Sequence, residues 1–178
     1  MNCEAPGTVH TIGHSTRRIE DFVLLLKTHG IELVVDVRRW PSSRRYPHFR
    51  REALAASLDI SGIEYIWRGD LGGFRKPAAD SQNTGWKVGA FRAYADFMLT
   101  PGFEKIMQEM EQLVASKRIA IMCAEAVPWR CHRSLIADAL TVARWRVLHI
   151  QSRHTARPHK RTTFLKARSG RLLYPVPR

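Results

Sequence analysis

Two cysteines, a glutamate, a histidine and an arginine fall within a short stretch that joins an apolar run to an amphipathic one. Cys123 ends the apolar run, Glu125 follows it, and Cys131 stands directly before His132 and Arg133. A thiol beside cationic side chains at the start of a helix has a lowered pKa, because positive charge and unpaired N–H groups stabilise the thiolate. The same groups suit a bound anion. The stretch therefore predicts a reactive cysteine, an anion site, or both.

Three chemistries fit these residue types to different degrees. Cysteine phosphatases and sulfurtransferases use a shorter loop than the six residues between Cys123 and Arg130, none of which is glycine, and Glu125 would repel a phosphate. A metal site lacks the short cysteine spacing of structural zinc sites. If a metal binds, the candidate ligands are Cys123, Cys131, His132 and His14. The third chemistry, which accounts for more of the stretch than the other two, uses Glu125 as a general base or ribose hydroxyl acceptor beside an anion pocket.

Apolar runs and helical patterns alternate along the chain and predict the elements that position these residues. Runs typical of buried strands are 8–12, 33–37, 63–67, 119–123 and 147–150. Helical spacing lies between Thr16 and Gly30, over 53–58, 91–98 and 103–114, and from His132 to Ala143. Ser15 or Thr16 is predicted to cap the first helix, and Gly30 to end it.

Repeated strand–helix units of this length predict an α/β fold. We expect a single domain over residues 1–150, with a mostly parallel sheet of about five strands and helices on both faces. Residues 151–178 are predicted to form a basic C-terminal extension.

Ligands of parallel α/β sheets bind beyond the carboxyl ends of the strands, which brings the segments after the strands together. The predicted catalytic residues are His14, Asp36, Glu125, Cys131 and His132. The predicted anion-binding residues are Ser15, Arg38, Arg130 and Arg133. Structural roles are the alternatives: Ser15 as a helix cap, Asp36 as a partner of Arg38, and Cys123 as a buried, inert thiol.

The charge distribution favours anionic partners such as nucleotides or nucleic acid. The net charge is +13, and the last 28 residues hold eight of the 29 Lys and Arg residues but no Asp or Glu. A loop after the second predicted strand interleaves arginines with aromatic rings, which suits phosphate contact and base stacking. Its predicted nucleic-acid-binding residues are Arg39, Trp40, Arg44, Arg45 and Tyr46.

Several classes of protein are disfavoured by the composition. No apolar run approaches the ~18 residues of a membrane span, so no membrane partner is expected. The three cysteines form no disulfide framework, and the first residues lack the pattern of a signal peptide. We therefore expect a cytoplasmic protein. The sequence leaves open whether a cofactor binds, and it specifies no oligomeric state.

Several short motifs, taken in order, resemble a known family. They are Thr11-Ile-Gly-His-Ser15, Asp36-Val-Arg38 with Pro41 and Ser43, Leu71-Gly-Gly73, Phe91 with Tyr94 and Met98, and Cys123-Ala-Glu125 followed by Cys131-His-Arg133. From about Thr8 to Ile150 the chain resembles the domain-of-unknown-function family numbered 488. The resemblance implies a compact α/β domain of bacteria or archaea and brings no activity with it.

The sequence leaves two main classes of function open. One is an enzyme that acts on a phosphate-bearing nucleotide or nucleic-acid substrate, which the clustered titratable groups favour. The other is a nucleic-acid-binding module without catalysis, which the basic loop and C-terminal extension favour. A metal- or redox-sensing thiol protein is a lesser alternative.

Overall fold

A six-stranded sheet lies at the centre of the described chain. The computed structural model describes residues 7–168 and 170–177. The sheet strands are β1 (Thr8–Gly13), β2 (Leu33–Asp36), β3 (Glu64–Trp67), β4 (Ile119–Cys123), β5 (Arg146–Ser152) and β6 (Thr155–Pro158). Their order is β3-β2-β4-β1-β5-β6, and all neighbours are parallel except β5 and β6. The predicted α/β fold is confirmed, and β6 adds an antiparallel edge strand.

Within the described residues, five α-helices cover both faces of the sheet. They are α1 (Ile19–Thr28), α2 (Arg51–Ile60), α3 (Gly89–Phe97), α4 (Pro101–Ser116) and α5 (Arg133–Val142). None of the helices in this part of the chain is long and apolar enough to cross a membrane.

The fully buried strand β4 shows how the two faces share the core. Ala120 and Met122 belong to the apolar cluster with α1 and α2, whereas Ile119, Ile121 and Cys123 belong to the cluster with α3, α4 and α5. Successive side chains of a strand point to opposite faces, so a continuous apolar run serves both cores. Cys123 thus ends the strand on the same face as α5.

The first helix begins later than predicted. Its N-cap is Arg18, so the predicted cap at Ser15 or Thr16 is wrong. Ser15 instead adopts a left-handed conformation with φ 51°, and its N–H donates to the Ala124 carbonyl at 2.9 Å. Gly30 follows the helix with φ 64°, the conformation favoured just after a helix end.

Residues 151–178, called here the C-terminal extension, contribute β6 to the sheet and pack against the rest of the domain. Besides β6 the extension contains a hairpin of β7 (Lys166–Arg168) and β8 (Arg171–Leu173), and Leu172 and Tyr174 are buried. The Tyr174 hydroxyl donates to Asp138 of α5 at 3.1 Å, and its N–H donates to the Asn83 side-chain oxygen at 2.9 Å. These contacts place the basic extension beside the helix that begins at Arg133.

Candidate functional site

Three strands end at one edge of the sheet. In the parallel register Cys123 lies opposite the last residue of β1, and Asp36 lies opposite Met122. The main chain continues the alignment, because the His14 N–H donates to the Cys123 carbonyl and the Val37 N–H to the Met122 carbonyl, each at 2.9 Å. The segments that were predicted to gather do lie at adjacent strand ends.

The end of β1 requires a glycine. A Cβ atom on Gly13 would overlap with the Glu125 carbonyl oxygen and lie 3.0 Å from Arg133 Nη2. Arg133 Nη2 itself donates to that carbonyl at 2.5 Å. The absence of a side chain at Gly13 therefore lets the loop after β4 lie directly against β1. The Arg133 side chain is held there by its hydrogen bond to the Glu125 carbonyl.

Cys123 and Cys131 face each other below this loop. Both are reduced and buried, and their Sγ atoms are 2.7 Å apart. Arg133, the first residue of α5, places its main-chain N–H 3.4 Å and its Nε–H 3.5 Å from Cys131 Sγ. A thiol, an amide and a guanidinium thus converge on the Cys131 sulfur.

These contacts separate the pKa values of the two thiols. Burial alone would raise the pKa of Cys131, but the hydrogen bond from Cys123 and the charge and N–H groups of Arg133 outweigh it and lower the pKa to about 6. The hydrogen bond to Cys131 and burial raise the pKa of Cys123 well above its usual range. The opposite shifts favour Cys131 as the thiolate of the pair and Cys123 as its protonated partner.

His132 lies between the thiol pair and the end of β2. Its Nε2 is 3.2 Å from the Val37 carbonyl, and its Nδ1 is 3.8 Å from Cys131 Sγ. Because a carbonyl only accepts, the proton belongs on Nε2, which leaves Nδ1 unprotonated on the side of the sulfur. Burial lowers the pKa of His132. Burial therefore favours the neutral imidazole beside Cys131.

A cavity of about 540 Å³, called here the thiol cavity, reaches Cys123, Cys131 and His132. Its wall also carries three arginines, a glutamate and three aromatic rings: Arg38, Arg39, Arg130, Glu125, Trp40, Phe74 and Phe91. The side chains of Trp40 and Phe74 are 64% and 82% exposed, and their ring centroids are 5.2 Å apart. The cavity therefore suits a ligand that combines an anionic group with a flat ring.

Asp36 and Arg38 form a buried ion pair, and Arg38 is part of the cavity wall. The Asp36 carboxylate accepts from Arg38 Nη2 at 2.5 Å and from the Tyr65 hydroxyl at 2.8 Å. Arg38 Nη1 donates to the Phe49 carbonyl at 2.8 Å and lies 3.3 Å from His14 Nε2. Burial and the Arg38 charge lower the pKa of His14 to about 4, and its ring stacks on Phe49. These contacts suffice to explain the burial of Asp36, and the catalytic roles of His14 and Asp36 stay predictions.

A buried chain of hydrogen bonds, called here the relay, leads from Arg133 into the C-terminal extension. Arg133 Nη1 donates to Thr11 Oγ1 at 3.3 Å, and Thr11 Oγ1 lies 2.7 Å from His149 Nδ1. His149 Nε2 lies 2.9 Å from His159 Nδ1, and His159 Nε2 lies 2.9 Å from Asp138 Oδ1. Since arginine only donates and a carboxylate only accepts, every link is satisfied when Thr11 donates to His149, His149 to His159 and His159 to Asp138. The relay fixes the guanidinium that contacts the thiolate.

Sequence reasoning did not identify the relay. Thr11 and His149 are direct neighbours in the register of β1 and β5. The available signal was a polar residue inside each of two apolar strand runs. Asp138 and His159 gave no such signal, because they meet only when the extension folds onto α5.

The other predicted site residues occupy different surroundings. Arg44 and Arg45 are exposed, and the Arg45 guanidinium lies 5.5 Å from the Tyr46 ring. These three residues are outside the lining of the thiol cavity, whereas Arg39 and Trp40 are part of it. Binding of nucleic acid by this loop stays a prediction.

Of the four candidate metal ligands, Cys123, Cys131 and His132 lie together, whereas His14 contacts Arg38. Among residues 7–168 and 170–177, no group of three or more His, Cys, Asp or Glu side chains is arranged to hold a metal ion. His14 Nε2 lies near Arg38, and His132 Nε2 contacts the Val37 carbonyl.

Comparison with known proteins identifies a family and no closer relative. The model described as Domain of unknown function DUF488 matches residues 18–140, more than half of the chain. The match includes Asp36, Cys123, Glu125 and Cys131, and it begins after Thr11 and His14. The resemblance suggested by the sequence motifs is thereby confirmed. No curated protein and no solved structure matches the chain.

Proposed function

This chain belongs to the DUF488 family, whose description names no activity, and we propose that it is a thiol-dependent enzyme acting on a phosphate-bearing nucleotide or nucleic acid. Cys131 is the nucleophile in this proposal. The observation that carries it is the pair of sulfurs, 2.7 Å apart at the cavity, with Arg133 donors on Cys131. A merely structural cysteine has no use for a stabilised charge, since a buried charge is costly unless it is paired.

The reaction uses the Cys131 thiolate as an electron-pair donor. Its sulfur forms a bond to an electrophilic atom of the substrate while the bond from that atom to the leaving group breaks, and the leaving group departs with the electron pair. Glu125, exposed and on the cavity wall, then takes a proton from a water molecule that attacks the adduct. The product carries the hydroxyl group, Cys131 returns to the thiolate, and Glu125 releases the proton to solvent.

The arginines divide between scaffold and substrate. Arg38 is paired with Asp36, and Arg133 contacts the thiols. The substrate phosphate therefore binds Arg39 and Arg130, which are both exposed on the cavity wall. Trp40 and Phe74 offer faces on which a base can stack. The flat ring is the reason to favour a nucleotide over a simple phosphate ester.

A thiol switch is the second candidate, favoured by the 2.7 Å separation of the sulfurs. Cys131 thiolate, hydrogen peroxide and one proton would give a sulfenic acid and water. The Cys123 thiol would then displace a second water to form a disulfide. Two electrons pass from the thiols to the peroxide. In this alternative nucleotides need not bind at all.

Protection from alkylation tests the proposed function. In a Cys3→Ser background, iodoacetamide should modify Cys131 before Cys123, and a mixture of the four nucleoside monophosphates should slow that modification. The Arg39→Gln/Arg130→Gln variant should keep the unprotected rate but lose the protection. The matched Arg44→Gln/Arg45→Gln variant loses the same amount of charge outside the cavity and should still be protected by nucleotides. Modification of Cys131 at one rate with and without nucleotides would contradict a nucleotide substrate.

A further inference from the structure

A second cavity, of about 620 Å³ and called here the tail cavity, adjoins the thiol cavity. Pro128 and Trp129 line the tail cavity, whereas the next two residues, Arg130 and Cys131, line the thiol cavity. A single 3₁₀ turn, Pro128–Arg130, therefore forms the wall between them. A ligand that crosses this turn can occupy both.

The tail cavity is positively charged. Its wall carries Arg157, Lys160 and Arg161, all exposed, and no Asp or Glu side chain is among its lining residues. Within residues 7–168 and 170–177 none of the three cations forms an ion pair. These cations lie beyond the part of the chain that the family model matches. The charge is thus available to a ligand and belongs to the extension of this chain.

Aromatic surface accompanies the charge. Trp129, on the separating turn, is 65% exposed, and Trp86 contributes to the wall of the tail cavity. An exposed indole beside cations matches the arrangement with which proteins bind single-stranded nucleic acid, in which bases stack on rings and arginine or lysine contacts the backbone.

The relay holds the charged segment in place. The buried Asp138 carboxylate accepts from the Thr162 N–H at 3.0 Å and from the Thr162 hydroxyl at 2.7 Å, in addition to His159. Thr162 directly follows Lys160 and Arg161 in the chain. Fixing the segment before the ligand arrives reduces the entropy lost on binding.

We propose that the tail cavity binds a second nucleotide of a single-stranded nucleic acid whose reacting nucleotide lies in the thiol cavity. The inference rests on the proposed function for the occupant of the thiol cavity, and it makes the substrate a polynucleotide. The strand crosses the turn at Trp129, a base stacks on that indole, and the flanking phosphates contact Lys160 and Arg161.

Binding of a fluorescein-labelled oligothymidylate of about eight nucleotides, followed by anisotropy, tests this arrangement. The Lys160→Gln/Arg161→Gln variant and the Trp129→Ala variant should each raise Kd roughly 10-fold, and the double variant should also lower the salt dependence. Lys166→Gln/Arg168→Gln is the matched control, because both residues are exposed on β7 in the same extension and outside the cavity. It should change Kd less than about 2-fold.

The outcomes separate this inference from the proposed function. Equal weakening by the two double variants would mean unspecific attraction to the extension and would overturn the inference, as would an unchanged Kd in all variants. Protection of Cys131 by nucleoside monophosphates should persist in the Lys160→Gln/Arg161→Gln variant. If Cys131 reacts as an ordinary thiol while the oligonucleotide keeps its dependence on Trp129 and Lys160, the enzyme proposal fails and the binding site stands.

Discussion

At the scale of single residues, the charge on Cys131 depends on neighbours that offset its burial. The sulfur is nearly inaccessible to solvent, so without donors its thiolate would be less favourable than in water. Cys123 gives it a hydrogen bond, and Arg133, itself 1% exposed, gives it a positive charge and two N–H groups. Removing one donor should therefore shift the reactivity without removing the nucleophile.

Cys123→Ala should raise the pKa of Cys131, because the thiol that stabilises its charged form is lost. A rise of about two units would leave roughly a tenth of the sulfur as thiolate at neutral pH, and alkylation there would slow about 10-fold. The pH dependence of the alkylation rate measures this shift. Cys123→Ser keeps a donor and should restore much of the rate; no difference between the two variants would count against the hydrogen bond.

Glu125→Gln should separate catalysis from binding. Its carboxylate is on the cavity wall, while Arg133 contacts only its main-chain carbonyl, which the substitution keeps. We expect a turnover rate lower by roughly 10²–10⁴, phosphate affinity unchanged or tighter, and an unchanged melting temperature. Melting and anion titration can be measured before the substrate is known. A destabilised variant with weaker anion binding would make Glu125 a scaffold residue.

At the scale of elements, the strands near the site could be predicted and the relay could not. β4 was predicted over its observed bounds because all of its residues are apolar and buried. β7 and β8 have three residues each, which is too few to show the alternation that marks a strand. The relay joins β1, β5, α5 and the extension, and no local spacing encodes contacts between such distant segments.

Thr11→Val tests the link between β1 and β5. Valine keeps the shape but leaves Arg133 Nη1 and His149 Nδ1 without the hydroxyl between them. We expect a loss of about 1–3 kcal/mol in the free energy of unfolding and a raised pKa of Cys131, since Arg133 loses an anchor. Denaturant unfolding and the alkylation profile measure the two effects. Thr141→Val removes only a bond to the Ala137 carbonyl within α5; if it shifts the Cys131 profile as much, the relay is not the cause.

At the scale of the whole molecule, the sequence indicated the charge of the extension but not where it acts. Composition located the excess of cations after residue 150, and the fold brings three of them to a cavity beside the thiol cavity. The ion pair of Asp36 with Arg38 was among the alternatives considered. The further hydrogen bonds of this pair, from the Tyr65 hydroxyl to Asp36 and from Arg38 to the Phe49 carbonyl, could not be predicted. They depend on packing between β2, β3 and the loop before α2, which single-sequence patterns do not specify.

Buried neutral histidines should make the fold sensitive to mild acid. Burial, with the charge of Arg38, lowers the pKa of His14 to about 4, and burial, with His159, lowers that of His149 to about 3. The unfolded chain therefore binds protons first as pH falls below about 6.5, and each histidine costs up to about 1.4 kcal/mol of stability per pH unit down to its folded pKa. Unfolding free energy between about pH 7 and pH 5 measures the slope. His14→Gln should reduce the slope of unfolding free energy against pH, whereas His154→Gln, at an exposed position, should leave it unchanged. Equal slopes in the wild type and both variants would contradict this prediction.

The rate of Cys131 alkylation from about pH 5 to about pH 9, followed by mass spectrometry in the Cys3→Ser background, decides whether Cys131 is a stabilised thiolate. The contacts of Cys131 predict a rate that is half-maximal near pH 6, matching the lowered pKa, while Cys123 stays unmodified through the range. Cys131→Ser provides the baseline. A half-maximal rate near the ordinary thiol pKa of about 8.5 would contradict a stabilised thiolate, and with it the proposal that Cys131 is a nucleophile.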